Sequence, residues 1–308
     1  MSSSEFKVER APKKINSSLF HRAQEVFALS SGVKRNAFLE IDKISSLNNF
    51  LNELKFFSPF FDYSFSISKA PDWNKQEAGN YKFTFCIGRN KKEVEKLSSL
   101  FQKDDANHSE IGTMLSYPFC CSHKAYRPKV EITKVFNTGK ANIIDFRINN
   151  FYGRSGINFS LTRHYVCSYD CEKTINRVEE ILEYLRKFPH IRDYYIRNLK
   201  RPILFLFPSA TPQSSITSRG VIFSFDGEYK NAKELNYSNV YLLKKFGTSH
   251  EVESRAMKIY QKIAKGNKLM ISKRGIDVYL GSDKKEKIRE DALIPFWPKD
   301  LLKGCYYN

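Results

Sequence analysis

Four of the six cysteines in this 308-residue chain fall into two short segments. One is Leu115-Ser116-Tyr117-Pro118-Phe119-Cys120-Cys121, the other His164-Tyr165-Val166-Cys167-Ser168-Tyr169-Asp170-Cys171. An isolated cysteine in a reduced interior is a small apolar filler. Paired cysteines with a histidine three residues upstream point instead to a metal, a cluster or a reactive thiol. A fold that accepts this sequence has to place two soft-ligand motifs some forty residues apart.

Each motif reads as the start of a helix. Proline is favoured in the first helical turn, so Pro118 places Cys120 and Cys121 there. Ser168 and Asp170 are capping residues in front of a helix that begins near Cys171. Free N–H groups and the helix dipole at such ends favour anions, thiolate included, and the same device in both motifs suggests one shared site. Cys120 or Cys121, together with His164, Cys167 and Cys171, offers four or five soft ligands. That set suits Zn²⁺ as Cys₃His, or an iron–sulfur cluster with three cysteine ligands and His164 as the fourth ligand or a donor behind them. The Cys-Cys and H-x₂-C-x₃-C spacings fit a zinc knuckle poorly, which favours the iron–sulfur cluster. Adjacent helical residues project about 100° apart, so both cysteines of the pair reach one ion only with distortion. Cys121, His164, Cys167 and Cys171 are accordingly the candidate metal ligands. Cys120 is a fourth ligand or a thiol acting on substrate, and His164 is a ligand or an acid/base. Three blander readings stay open: a cysteine pair packed under an aromatic core, a histidine bonded to a backbone carbonyl, and a metal-free Cys–His nucleophile pair. Cys86 reads as core and Cys305 as an accessible thiol.

Charge is the second constraint. Fifty-one lysines and arginines against 33 acidic residues give a net charge of +18, which makes a polyanion, RNA or DNA, a plausible partner. Local concentrations occur at Lys124, Arg127 and Lys129, at Arg192, Arg197, Lys200 and Arg201, and at Lys284, Lys285, Lys287 and Arg289. No RNA-recognition, zinc-finger or helix-turn-helix signature accompanies them. No run reaches the ~18 apolar residues of a membrane span, and Met1-Ser2-Ser3-Ser4-Glu5-Phe6-Lys7 has no apolar region of a secretory signal. The expectation is a cytoplasmic protein without membrane contact and without a disulfide framework. Gly153-Arg154-Ser155-Gly156 is a basic loop lacking a P-loop pattern. Asn149, Asn150 and Tyr152 are weak pocket candidates.

Along the chain the first ~55 residues read as helical by apolar spacing, with Leu19, Ala23, Val26 and Phe27 on one stripe and Leu47, Phe50, Leu51 and Leu54 on another. Residues 61–68 and Tyr81 to Ile87 alternate as strands. Asn90 and Glu93 form a capping box ahead of Val94, Leu97 and Phe101, and Ser109 caps a short helix carrying Ile111, Met114 and Leu115. Residues 130–148 alternate again. Ile175, Val178, Ile181, Leu182 and Leu185 form a helical stripe ended by Pro189. After Arg201-Pro202 come the continuous apolar run Ile203 to Phe207, a strand Val221 to Phe225 with a turn at Asp226-Gly227, a strand Tyr237 to Leu243, a helix Glu251 to Ala264, and a hairpin around Arg274-Gly275. The class is α+β (mixed α/β), with a mixed sheet and the Cys/His site at helix N-termini. The expected organisation is a helical segment 1–60, a Cys/His-motif α/β domain 61–200, and a β-rich region 201–308 with one helix, packed either separately or with 61–200.

These residues carry a resemblance. Ile87-Gly88-Arg89 to Glu93-Val94, Ile111-Gly112, Leu115 to Cys121, His164 to Cys171 and Arg201-Pro202-Ile203-Leu204-Phe205 resemble a family of uncharacterised prokaryotic proteins, many of them archaeal, over roughly residues 80–245. That family has a Leu-Gly-Tyr-Pro-x-Cys-Cys motif and a His-x-Pro-Cys-Ser-x-x-Cys motif at comparable separation. This chain departs at Ser116, where glycine is usual, and at Val166, where proline is usual. The family is a domain of unknown function, so the resemblance implies one cysteine/histidine site and names no reaction.

Together these readings lean toward a metal-centre enzyme, iron–sulfur before zinc, acting in sulfur-related or redox modification of RNA or of a small metabolite. The competing class is a non-catalytic nucleic-acid-binding protein with a structural zinc site.

Overall fold

The computed structural model describes residues 23–41, 44–57, 68–69, 83–101, 108–124, 139–149, 161–162, 164, 166–207, 220–244, 248–290 and 292–300. The chain divides into two compact units, each discontinuous in sequence. Unit 1 takes Met1–Lys14, Lys129–Ser160 and Asp193–Asn308, and unit 2 takes Ile15–Pro128 and Leu161–Arg192. The described residues form eight helices, an eight-stranded mixed sheet and a small antiparallel sheet, which is the α+β class.

Unit 2 begins with helix α1 (Ala23–Ser31), strand β1 (Asn36–Ile41) and helix α2 (Ile44–Phe57). Helical periodicity over the first ~55 residues therefore holds for two segments and is broken by β1. Strand β1 pairs antiparallel with β3 (Phe83–Gly88), whose other edge takes β2 (Ser68–Lys69). A six-residue strand between two amphipathic helices has too few alternations to reveal itself. What fixes it is pairing, which sets Phe38 opposite Cys86. Helix α3 (Lys91–Phe101) follows, and Asn90 Oδ1 accepts from the backbone N–H of Lys92 and Glu93 as a cap. The Glu93 carboxylate does not complete a box: it accepts from Asn36 Nδ2 at 3.2 Å, tying α3 to β1. Behind the sheet Cys86, Val94, Leu97, Leu100, Phe101, Ile111 and Leu115 form one apolar cluster, and the Phe38 and Phe101 rings stack at 4.2 Å. Cys86 is core as expected, and burial pushes its thiol up to about 12.

Helices α4 (His108–Met114), α5 (Phe119–Lys124) and α6 (Glu172–Tyr184) complete this unit. Helix α6 buries Ile175, Val178, Ile181 and Leu182, the stripe read from the sequence. Pro189 does not simply end it. A 3₁₀ turn at Leu185–Lys187 intervenes, and Pro189 opens the next helix, α7 (Pro189–Leu199), as a first-turn proline does.

Unit 1 is built on the eight-stranded sheet, in the order β10-β9-β8-β7-β6-β5-β11-β4. In chain order these are β4 (Asn142–Asp145), β5 (Ile203–Leu206), β6 (Val221–Asn231), β7 (Glu234–Lys244), β8 (Lys268–Ser272), β9 (Gly275–Leu280), β10 (Asp283–Ile288) and β11 (Leu293–Lys299). All neighbours are antiparallel except β11 and β4. Every residue of β5 is buried, as a continuous apolar run between two partner strands predicts. Asp226-Gly227 is not a turn. It is a register shift inside the long strand β6, and the chain reverses only between Asn231 and Glu234. A Cβ on Gly227 would lie 2.2 Å from the Asn236 carbonyl oxygen, so the bulge requires glycine. Helix α8 (His250–Ile263) is capped by Ser249 and packs on the sheet. The 130–138 part of the expected strand, most of 61–68, and Ser17 to Leu19 lie outside the described residues.

Helix α2 also buries a carboxylate in part. Glu53 Oε2 has no hydrogen-bond partner among the described residues, and burial raises this carboxyl to about 7. A raised carboxyl pKa favours the protonated form in the fold, so its stability term is fully present below the unfolded value near 4.5 and is lost as pH rises through about 7. Glu53→Gln should stabilise the protein at pH 8 by on the order of 1–2 kcal/mol and flatten this slope. Denaturant titrations at pH 5 and pH 8 check both.

Candidate metal centre

The first cysteine motif is a helix end followed at once by a helix start. Helix α4 closes with Ser116 N–H donating to Thr113 O and Tyr117 N–H donating to Gly112 O, the paired bonds of a Schellman cap. Ser116 has φ +59°, the left-handed position that such a cap assigns to glycine. This is the position at which the resembled family carries glycine. Pro118 then stops α4 and starts α5. Its carbonyl accepts from the N–H groups of Cys121 and Ser122 at 2.8 and 2.9 Å, so Pro118 stands one residue before the helix and the cysteine pair lies in the first turn. Helices α4 and α5 pack tightly because residue 112 is glycine: a Cβ there would come within 2.6 Å of Ser122 Cβ.

The second motif arrives at the N-terminus of α6. The N-cap residue is Cys171 itself, rather than Ser168 or Asp170, and its carbonyl accepts from Thr174 N and Ile175 N. The four sulfurs of Cys120, Cys121, Cys167 and Cys171 all lie within 4.8 Å of one another. Cys120 and Cys121 are 3.9 Å apart, and each lies 3.7 Å from Cys171. These separations exceed the ~2.05 Å of a disulfide, and the thiols are free. Cys121 and Cys171 are buried, whereas Cys120 and Cys167 are partly exposed. Both members of the adjacent pair thus turn toward the same point.

His164 stands outside this group by one hydroxyl. Its Nε2 lies 3.0 Å from Thr174 Oγ1, and that oxygen contacts Cys171 Sγ at 3.4 Å and Cys121 Sγ at 3.5 Å. Thr174 is fully buried, three residues beyond Cys171 and so on the same face of α6. Burial first, then the charges of Lys34 and Arg177, pull His164 down to about 3, so its ring is neutral at ordinary pH. A neutral ring with Nε2–H donating to Thr174 leaves the threonine O–H to donate to sulfur. The Tyr117 ring sits 5.0 Å from the imidazole, and Lys34 Nζ lies 5.0 Å from that same ring. Lys34 in turn holds both carboxylate oxygens of buried Glu25 at 2.9 Å.

The sulfurs are electrostatically unequal. The Cys121 thiol, and then the Thr174 hydroxyl, hydrogen-bond to Cys171 and hold it far below the usual thiol value, while the same bond to Cys171 pushes Cys121 up. Burial raises Cys167 to about 11. The bond between them thus favours the thiolate on Cys171 and the protonated thiol on Cys121.

Thr174 and the Glu25–Lys34 pair were not singled out in the sequence, and Tyr117 was read only as part of the first cysteine motif. The three-residue step from Cys171 to Thr174 was a usable signal, and the Glu25–Lys34 pair is brought in by tertiary packing alone. Asn149 is buried and donates to Leu199 O at 2.8 Å in unit 1, a structural role. Asn150, Tyr152, the 153–156 loop, Arg127, Lys129 and Cys305 lie outside the described residues. Comparison with protein-family models, curated proteins and solved structures finds no match to this chain.

Two outcomes are expected here. Ser116→Gly should be more stable than Ser116→Ala by about 1 kcal/mol, because both lose the bond that Ser116 Oγ accepts from Arg35 N and only glycine relieves the left-handed backbone. Urea midpoints of the two variants compare them. Thr174→Val keeps the shape and removes the hydroxyl. It should weaken metal affinity about 10- to 100-fold in chelator competition, with Thr174→Ser near wild type.

Proposed function

We propose that Cys120, Cys121, Cys167 and Cys171 hold a single tetrahedral metal ion, zinc, and that this ion ties the start of α5 to the start of α6. The spacing of the sulfurs carries the reading. Four ligands ~2.3 Å from one centre lie about 3.8 Å from each other; Cys120, Cys121 and Cys171 are 3.7 to 3.9 Å apart, and Cys167 Sγ lies within 4.8 Å of all three. A four-iron cluster attaches each thiolate to a different iron, which sets the sulfurs on the order of 6 Å apart. The spacing therefore supports one ion over the iron–sulfur cluster favoured by motif spacing. Four thiolates and no open position are the donor set of a structural zinc site. His164, through Thr174, orients the ligands rather than joining them. The family resemblance rests on the same two motifs and supports a single site.

The partial exposure of Cys120 supports a second reading, in which that thiol leaves the ion and acts on a substrate. In that case three cysteines bind the metal and His164 is the nearby acid/base. The net charge of +18 supports a polyanion partner under either reading.

Anaerobic purification followed by metal analysis and a visible spectrum separates these. One zinc per colourless chain is expected. A brown protein absorbing near ~400 nm restores the cluster. Single Cys→Ser changes at 121, 167 and 171 should each weaken zinc binding more than the ~100-fold limit of a residue behind the ligands. Cys120→Ser should do the same if Cys120 is the fourth ligand, and full zinc retention in that variant establishes the thiol reading instead. Affinity should also fall steeply as pH drops, since the ligands bind as thiolates and release protons to the metal's advantage.

A further inference from the structure

We infer that unit 1 carries a binding surface for the phosphate backbone of a nucleic acid, formed by one row of α8, the edge strand β10 and the β8–β9 turn. Residues 255–290 hold eleven lysines and arginines against four carboxylates. Each of the four carboxylates is already paired within the face: Asp277 with Lys284, Asp283 with Lys285, Glu286 with Lys265 and Glu290 with Arg255. Seven cations form no salt bridge among the described residues, although the charge of one of them, Lys262, also acts on Glu286. They are Lys258 and Lys262 on α8, Lys268 on β8, Lys273 and Arg274 in the turn, and Lys287 and Arg289 at the end of β10.

The helix row, the edge strand and the turn adjoin one another, while Lys268 lies two strands in from β10. Lys262 Nζ donates to the Lys287 carbonyl at 3.3 Å, and the Arg255–Glu290 and Lys265–Glu286 pairs align the same helical row along β10. At the other corner a Cβ on Gly275 would lie 3.6 Å from Arg289 Cγ, which sets the Arg274-Gly275 turn beside Arg289. Six residues of β10 span ~20 Å, the length of about six phosphates of one duplex strand. Lysines on an edge strand also discourage edge-to-edge pairing. That role needs charge on β10 alone and does not call for the row on α8 or the pair in the turn. A lipid surface of the same charge would want apolar anchors beside the cations, and the large exposed apolar side chains described on this face are Met257 and Leu280. Backbone charge, without base-edge readers, fits sequence-independent binding.

The test uses the full chain, a fluorescent DNA duplex of about 20 base pairs and a single-stranded RNA of similar length, titrated from low to physiological salt. Binding should weaken linearly in log K against log salt. The exposed quartet Lys258→Gln, Lys273→Gln, Arg274→Gln and Arg289→Gln should lower affinity at least tenfold and reduce the slope by about 0.9 per lost duplex contact, or ~0.7 on the single strand. A control quartet of equal charge, Lys55, Lys92, Lys173 and Lys187 each to Gln, all exposed and in unit 2, should leave both unchanged, with melting curves confirming that both variants fold. Equal losses in the two quartets make the binding a property of net charge and overturn the surface. No binding of either probe at low salt, or binding only to phosphatidylserine vesicles, overturns it as well.

Discussion

The mutual approach of four cysteine sulfurs is the constraint on which the rest of unit 2 depends. Thiolates within 4.8 Å repel one another, and a protein that brings them together must either keep most of them protonated or supply a cation. The local backbone is committed to the approach. Gly112 lets α5 press against α4, Ser116 accepts a left-handed conformation so that the chain can turn into Pro118, and Cys171 replaces an ordinary oxygen cap at the start of α6. Each of these gives up some local stability. A Cys171 side chain makes no capping hydrogen bond, and a serine at φ +59° is strained relative to glycine. Such concessions recur at sites held for function, and here all three converge on the same four sulfurs.

The charges around the site follow the same logic. Lys34 would otherwise be a buried cation, and Glu25 neutralises it through both carboxylate oxygens. Burial first, then the fields of Lys34 and Arg177, keep His164 uncharged. With Nε2 as the protonated ring nitrogen, the neutral imidazole donates to Thr174 Oγ1 and leaves the hydroxyl proton for sulfur. The chain of influence therefore runs from a salt bridge, through an aromatic ring and an imidazole, to the thiols. Breaking one half of a buried pair leaves an uncompensated charge, so Glu25 and Lys34 matter to the site although neither touches a cysteine.

How much of this was legible depended on whether the signal was local. The helix stripes of α3, α6 and α8, the buried run of β5 and the hairpin at Arg274-Gly275 were all readable, because period and turn chemistry are properties of short windows. Strand β1 was hidden between helices of stronger period. Strand β11 was hidden by Pro295 and Pro298, which argue against a strand in the interior of a sheet, yet it lies between β5 and β4 with Trp297 fully buried. The Asp226-Gly227 bulge was read as a turn, since bulge and turn ask the same thing of glycine and only the continued pairing of β6 with β7 distinguishes them. At the site, the four cysteines were legible as a group. The standing of His164 was not, because a histidine near cysteines serves as ligand or as orienting donor with the same spacing.

The two units also divide the physical demands of a strongly basic chain. The sulfur group gathers negative charge once its thiols ionise, and a four-thiolate site with one divalent ion keeps a net charge of −2. Of the two cations whose field reaches His164, Lys34 is held by Glu25 and Arg177 is half-buried, so the field there is set by a few largely buried groups. In residues 255–290 the opposite holds: the carboxylates are used up within the face and the surplus is exposed on a helix row and an edge strand. A buried charge changes what its neighbours can do chemically, because the low-dielectric interior transmits its field. An exposed surplus is screened within about 10 Å by salt, so it acts on partners that carry many charges of the opposite sign. The first kind of charge surrounds the cysteines and the second lies on the helix and edge strand of the large sheet, so the two act over different ranges and by different physics.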